Sequence, residues 1–219
     1  MRRFAVAIAL LAGCQVPVPI EGRHVGAVFP TARIDLSLGA EVGCLPDEGT
    51  ILPADIATGI EVSVTGASGE FAIDDAFVDD AEYRMVAASI LGEIRIEGES
   101  FDFAVALGSG VDRVDFEFGG AQPFTHDDGH FALVMGVEGA FRPTEDVRLF
   151  ARIEPWLDLP EASSLFFDLG VSWDVAAAAR VVTAYRLWAY SEDAVSSPSG
   201  TRDLDLEAHG ILLGMEVRL

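Results

Sequence analysis

The densest group of side chains able to hold a cation is His126-Asp127-Asp128-Gly129-His130. Imidazole nitrogens and carboxylate oxygens together suit a divalent metal of intermediate softness. A bend at Gly129 would let the two imidazoles approach each other. Asp and Gly are also the residues of solvated turns, and the pattern reads more readily that way. His126, Asp127, Asp128 and His130 are therefore candidates for a cation, and no metal is assigned. His209 lies near Asp205 and Glu207. Hydrolytic chemistry would need a serine beside such a histidine. Ser163-Ser164 and Ser196-Ser197 sit in loop-like surroundings and no motif surrounds His209. It reads as a hydrogen-bonded lumen residue on the polar face, and no catalytic residue or cofactor is assigned. Cys44 has no His or Arg close in sequence, which leaves nothing nearby to activate its thiol.

The segments that must position these groups are strands. Phe131, Leu133, Met135 and Val137 alternate with Ala132, Gly136 and Glu138. Val147, Leu149, Ala151 and Ile153 alternate with Arg148, Arg152 and Glu154. Leu165, Phe167, Leu169, Val171, Trp173 and Val175 alternate with Ser164, Phe166, Asp168, Gly170, Ser172 and Asp174. A period of two places each set on one face of a β-strand. One face is greasy; the other is small or charged. No stretch sustains a helical period.

Composition narrows the function classes. The chain has 219 residues and a formal charge of −22, from 36 acidic and 14 basic residues, every basic one Arg. Such a field repels nucleic acid and rules out a polybasic membrane anchor. Acidic loops suit cations or simply solvation. No run reaches the roughly 18–20 apolar residues of a membrane-spanning helix.

Residues 1–13 have the form of a secretory signal: Arg2-Arg3, then an apolar stretch from Phe4 to Ala12, then small residues. Leu11-Ala12-Gly13-Cys14 resembles the lipobox of bacterial lipoproteins. That resemblance implies cleavage before Cys14 and a diacylglyceryl group on its sulfur; an ordinary signal peptide containing a Cys is the alternative. Gln15 rather than Asp follows the Cys, which in that family favours export to the outer membrane. Residues 14–31, with Pro17, Pro19 and Pro30, read as a linker. Residues 32–219 read as the barrel.

Within it, alternation predicts strands at 33–43, 60–65, 84–97 and 101–107, the last extending through Val114, Phe116 and Phe118. Further strands are expected at 180–190 and 210–219. Gly66-Ala67-Ser68-Gly69 predicts a hairpin turn, and 70–78 is a short strand or part of a loop. Connections at 97–100, 142–146 and 175–179 are short, whereas 109–128, 158–163 and 191–203 look long.

This asymmetry resembles small bacterial outer-membrane β-barrels, with short periplasmic turns and long outer loops. The resemblance covers residues 33–219 and carries no diagnostic motif. It implies an all-β, antiparallel, up-and-down transmembrane barrel. An inner-leaflet lipid and a periplasmic C-terminus require an even count: about ten strands if 70–78 is one, which is the preferred reading, or about eight if the barrel starts near Gly59 and 33–43 loses its role. Trp156, Trp173, Trp188, Tyr185 and Tyr190 would sit in interfacial girdles. Ile211, Leu213, Met215, Val217 and Leu219 resemble the C-terminal signal read by the barrel assembly machinery, with Leu in place of the usual Phe. The implied function is a structural or binding role in the outer membrane, with acidic surface loops and a lumen plugged by side chains. Outer-membrane lipid and the assembly machinery are the implied partners. Two alternatives stay open: a lipid-tethered soluble barrel resembling a lipocalin, its greasy faces lining a ligand cavity, and a barrel enzyme acting on outer-membrane lipid.

Overall fold

A computed structural model describes residues 19–37, 54–73, 78–158, 162–198 and 200–219. Cys14, Cys44, the signal segment and the first part of the linker lie outside them. The described residues form one closed barrel of nine strands in sequence order. They are β1 (Ile20–Ser37), β2 (Ala54–Ile73), β3 (Asp80–Gly98), β4 (Phe101–Phe118), β5 (Phe124–Phe141), β6 (Val147–Asp158), β7 (Ala162–Ala176), β8 (Ala179–Ser197) and β9 (Gly200–Arg218). Consecutive strands pair antiparallel, and β1 closes on β9 in parallel, from Ile20 opposite Leu204 to Asp35 opposite Arg218.

The count corrects the even number expected from the sequence. Residues 70–73 are not a separate strand but the end of β2. Gly66 to Gly69 makes no turn: Gly66 pairs with Val86 and Gly69 with Tyr83. Gly69 is there for space, because a Cβ would overlap the rings of His24 and Tyr83. The barrel is consequently not antiparallel throughout, since an odd ring needs one parallel seam.

The linker reading also yields, because β1 begins at Ile20. Its alternation is hidden by a bulge. Gly26 takes a φ of 101°, a conformation open to Gly. The β1–β9 register slips there, between Val25 and Ala27. Ile20 faces inward on even numbering before the bulge, and Ala27 and Phe29 face inward on odd numbering after it.

The long connections expected at 109–128 and 191–203 are mostly strand, with β4 paired to β5 as far as Phe118–Phe124 and β8 to β9 as far as Ser197–Gly200. The turn expected at 175–179 is present, at 177–178. One rim, the turn rim, carries the connections at 99–100, 142–146 and 177–178 and the end of β9. The opposite rim, the mouth, carries the connection at 119–123 and the start of β1.

The greasy rows face outward. On β4, Phe101, Phe103, Val105, Leu107 and Val111 are exposed; on β5, Phe131, Leu133, Met135, Val137 and Phe141; on β9, Ile211, Leu213 and Met215, with Leu219 just beyond its end. Glu138, Arg148, Arg152, Glu154, Asp168 and Arg186 are buried inside. Toward the mouth the arrangement inverts. The outward positions become Arg113, Asp115 and Glu117 on β4 and Asp203, Asp205 and Glu207 on β9, while Val114, Phe116, Phe118, Leu204 and Leu206 are buried. Along β3 the outward apolar run is Val86 to Ile96, with Glu82 and Arg84 beyond it. About ten steps of about 3.3 Å from the first to the last of these residues, tilted about 40°, give an apolar band about 25 Å high.

The aromatic expectation is half corrected. Trp173 and Tyr185 are outside, but Trp156, Trp188 and Tyr190 are buried in the bore.

Candidate functional site

Two layers fill the bore. The layer inside the apolar band is ionic and centred on Arg152 of β6. Its Nη1 and Nη2 donate to Glu61 Oε2 and Oε1 of β2, across the barrel, at 2.7 Å each, and its Nε donates to Glu154 at 2.9 Å. Arg33 lies 3.5 Å from Glu61 and 3.7 Å from Glu138. Arg148 bridges Glu138 and Asp102. Arg186 forms a two-pronged pair with Asp168 at 2.6 and 2.7 Å and donates to Thr65 at 3.0 Å. Its guanidinium lies over the rings of Phe166 and Phe29, 5.1 and 5.8 Å from their centroids. Buried charges persist only when paired and hydrogen-bonded, and alternation supplies the pairing by aiming every second residue of facing strands at one axis. Below this network, at the turn rim, a polar vestibule of about 370 Å³ is lined by Asp35, Glu93, Arg95, Arg142 and Arg180 among others.

The layer toward the mouth is aromatic. Phe71 of β2 packs on Tyr83 of β3 at 4.4 Å, and Tyr83 reaches across the bore to Trp188 of β8 at 5.7 Å. Trp188 continues to Phe166 and Tyr190, and Phe166 to Trp156. Trp156 ties the two layers together, donating its Nε1–H to Glu154 at 2.8 Å.

Above the aromatic layer, at the mouth, stands the histidine cluster. β5 is extended here, so His126, Asp128 and His130 are on its inner face and Asp127 on its outer one. The expected bend at Gly129 is absent: Gly129 pairs with Arg113 within the β4–β5 ladder. Asp127 leaves the group and pairs outside with Arg113. In its place Glu192 enters from β8, accepting from His126 Nε2 at 2.8 Å and from Tyr190 Oη at 2.5 Å. The donor atoms of His126, Asp128 and Glu192 all lie within 4.8 Å of one another. His130 is deeper, its side chain 3% exposed. Its Nδ1 is 3.1 Å from Asp112, and its Nε2 has no hydrogen-bond partner and faces Asp128 at 3.5 Å. His126 lies above the apolar band, and its hydrogen bond to Glu192, working against desolvation, holds its pKa above the usual imidazole value.

Sequence reasoning missed Glu192, which it placed in a loop. The available signal was its position two residues beyond Tyr190, on the inward row of Arg186, Trp188 and Tyr190. His209, expected in the lumen, is instead on the outward row of β9, held there by Tyr185 at 2.7 Å and Glu207 at 3.4 Å. Those partners are a phenol and a carboxylate, so its described neighbours do not include the serine that a Ser–His hydrolase pair needs.

No protein-family model, curated protein or solved structure matches the chain.

Proposed function

We propose that this chain is a transmembrane β-barrel of the bacterial outer membrane, with a structural or binding role and a closed lumen. The observation that carries the proposal is the double inversion of polarity. In the band, large apolar side chains such as Leu107 (56% exposed) face out and Arg152 faces in; beyond it, Phe116 faces in and Asp115 faces out. A soluble barrel gains by burying its greasy face along its whole height. This chain does so only at the mouth. The height of about 25 Å matches the hydrocarbon-facing zone of outer-membrane barrels.

Outer-membrane lipid is then the solvent of the belt, and the barrel assembly machinery is the partner that the C-terminal row of Ile211 to Leu219 addresses. The turn rim faces the periplasm, and the acidic mouth stands outside. Cys14 carries the lipid that its lipobox-like surroundings imply. The lipocalin-like alternative needs the greasy rows to line a cavity, and they line the outer wall instead. The enzyme alternative needs a His and an acid near one rim, which His126–Glu192 and His209–Glu207 supply, and its hydrolase form needs a serine as well, which is not among their described partners.

Heat-modifiable gel migration tests the membrane reading. Protein refolded into detergent or phosphatidylcholine vesicles should migrate as a compact species until boiled. A chain that stays soluble and folded without detergent refutes it. The closed lumen is tested separately in planar bilayers: the crossing of the bore by Tyr83, Trp188, Phe166 and Trp156 predicts no stable ohmic steps, and such steps would refute the plug.

A further inference from the structure

The mouth cluster has a composition and a geometry that neither the ionic layer nor the aromatic layer shares. It holds two imidazoles and three carboxylates, and the side-chain partners described for those carboxylates are histidines and a tyrosine, whereas the ionic layer pairs its carboxylates with guanidinium groups. His130 is the informative residue. A carboxylate only accepts hydrogen bonds, so Nδ1–H of His130 is the donor to Asp112. That occupies the Nδ1 edge of His130 and leaves its Nε2 edge pointing away from Asp112. This nitrogen is buried, has no hydrogen-bond partner and faces Asp128. A carboxylate that orients one imidazole nitrogen while the other meets a cation is the usual outer shell of a metal-binding histidine. A buried nitrogen left over has otherwise no return for its lost hydration. On the opposite wall, Tyr190 donates to Glu192 and orients that carboxylate in the same way.

We propose that the mouth of the barrel binds one divalent transition-metal ion of the Zn²⁺ class through His126, Asp128, Glu192 and His130, with Asp112 and Tyr190 positioning two of the ligands. Tetrahedral ligands at about 2.0–2.2 Å from zinc stand about 3.3–3.6 Å apart. The donors of His126, Asp128 and Glu192 lie within 4.8 Å of one another, so the ion draws these three together by rotamer adjustments of little more than an ångström, and His130 joins them from below, its Nε2 3.5 Å from Asp128. Binding replaces the His126–Glu192 hydrogen bond with two metal bonds and offsets the charge of the carboxylates. Two imidazoles select against Ca²⁺ and Mg²⁺, which take oxygen ligands. The site joins β5 to β8 across the bore, so the ion acts as a clasp over the aromatic layer. It depends on the interior of the mouth and not on which solvent surrounds the belt.

The test is a titration of the detergent-folded full chain with Zn²⁺ against a chromophoric chelator, each variant first checked for heat-modifiable migration. One ion per chain is expected, with binding weakened at least tenfold in His126→Ala, His130→Ala and Glu192→Gln. Asp127→Asn, on the outer face of the same strand, should bind as the parent does, and a tenfold excess of Ca²⁺ should not displace Zn²⁺. Zn²⁺ should also raise the temperature at which the compact gel species is lost. The absence of saturable binding overturns the proposal. So does binding that survives both histidine substitutions, falls equally in Asp127→Asn or yields to Ca²⁺, since each of these describes surface carboxylates. Loss of compact migration in every variant is met by Tyr190→Phe, which keeps the ring packing and removes the donor to Glu192. A folded Tyr190→Phe with unchanged affinity overturns the positioning role.

Discussion

Replacing Val105 and Val111 of β4 by Arg, one at a time, separates a lipid-facing wall from a wetted one. The two valines have the same strand, face and chemistry, and nearly equal exposure, 46% and 53%. They differ in height. Val105 is near the middle of the apolar run from Phe101 to Val111, and Val111 ends it, next to Arg113. Six residues separate them, about 20 Å along the strand and about 15 Å along the barrel axis at a tilt of about 40°. In a bilayer, Arg at mid-depth costs about 2–4 kcal/mol and near the interface about 0–1 kcal/mol. Val105→Arg should therefore lose about 2–3 kcal/mol more than Val111→Arg. In water both sites are half-exposed surface positions, and both changes should stay within about 0.5 kcal/mol. The assay is reversible urea unfolding in phosphatidylcholine vesicles, followed by tryptophan emission. Equal effects of the two substitutions would refute the membrane placement, however the protein migrates on gels.

Three other outcomes follow from the packing of the bore. Arg152→Leu strands Glu61 and Glu154 in the interior and should cost about 3–5 kcal/mol in the same unfolding assay, with much of the loss recovered in Arg152→Leu/Glu61→Leu; additive losses would mean the two do not act as a pair. Gly110 abuts the indole of Trp156, where a Cβ would overlap the ring, so Gly110→Ala should cost about 1–3 kcal/mol and shift the Trp156 emission, and a silent substitution would contradict the packing. Among single-tryptophan variants, brominated acyl chains should quench Trp173, 36% exposed on the outer wall, and spare Trp188, fully buried in the bore; quenching of both would place lipid inside the barrel.

The sequence shows the wall clearly where one face meets one solvent. Leu133, Ile153 and Leu169 belong to unbroken alternating rows, and all three point outward as one set. Their buried counterparts Arg148, Arg152, Glu154 and Asp168 were legible as a charged lining from the same period. Legibility fails where a single position changes the rule. The bulge at Gly26 shifts the parity of β1, so its first half has no constant period. Gly66 and Gly69 look like turn residues because sequence does not distinguish a glycine needed for a turn from one needed to admit a ring. Above the band the apolar residues of β4 move from odd to even positions with no break in the strand, and a reader following one greasy row takes the change for a loop. The same effect hid Glu192. Pairing between β5 and β8 across the bore is a property of closure, which no local pattern encodes.

An odd ring has its own consequence for the lipid. Because β1 runs parallel to β9, the chain enters the wall at the mouth and leaves it at the opposite rim. Only a few residues separate Cys14 from Ile20, a reach of about 20 Å at full extension. That tether can return to the near bilayer surface but cannot cross about 30 Å of hydrocarbon. In the proposed outer-membrane placement, an acyl group on Cys14 would anchor in the leaflet beside the acidic mouth, whereas an even-stranded barrel would put it in the periplasmic one.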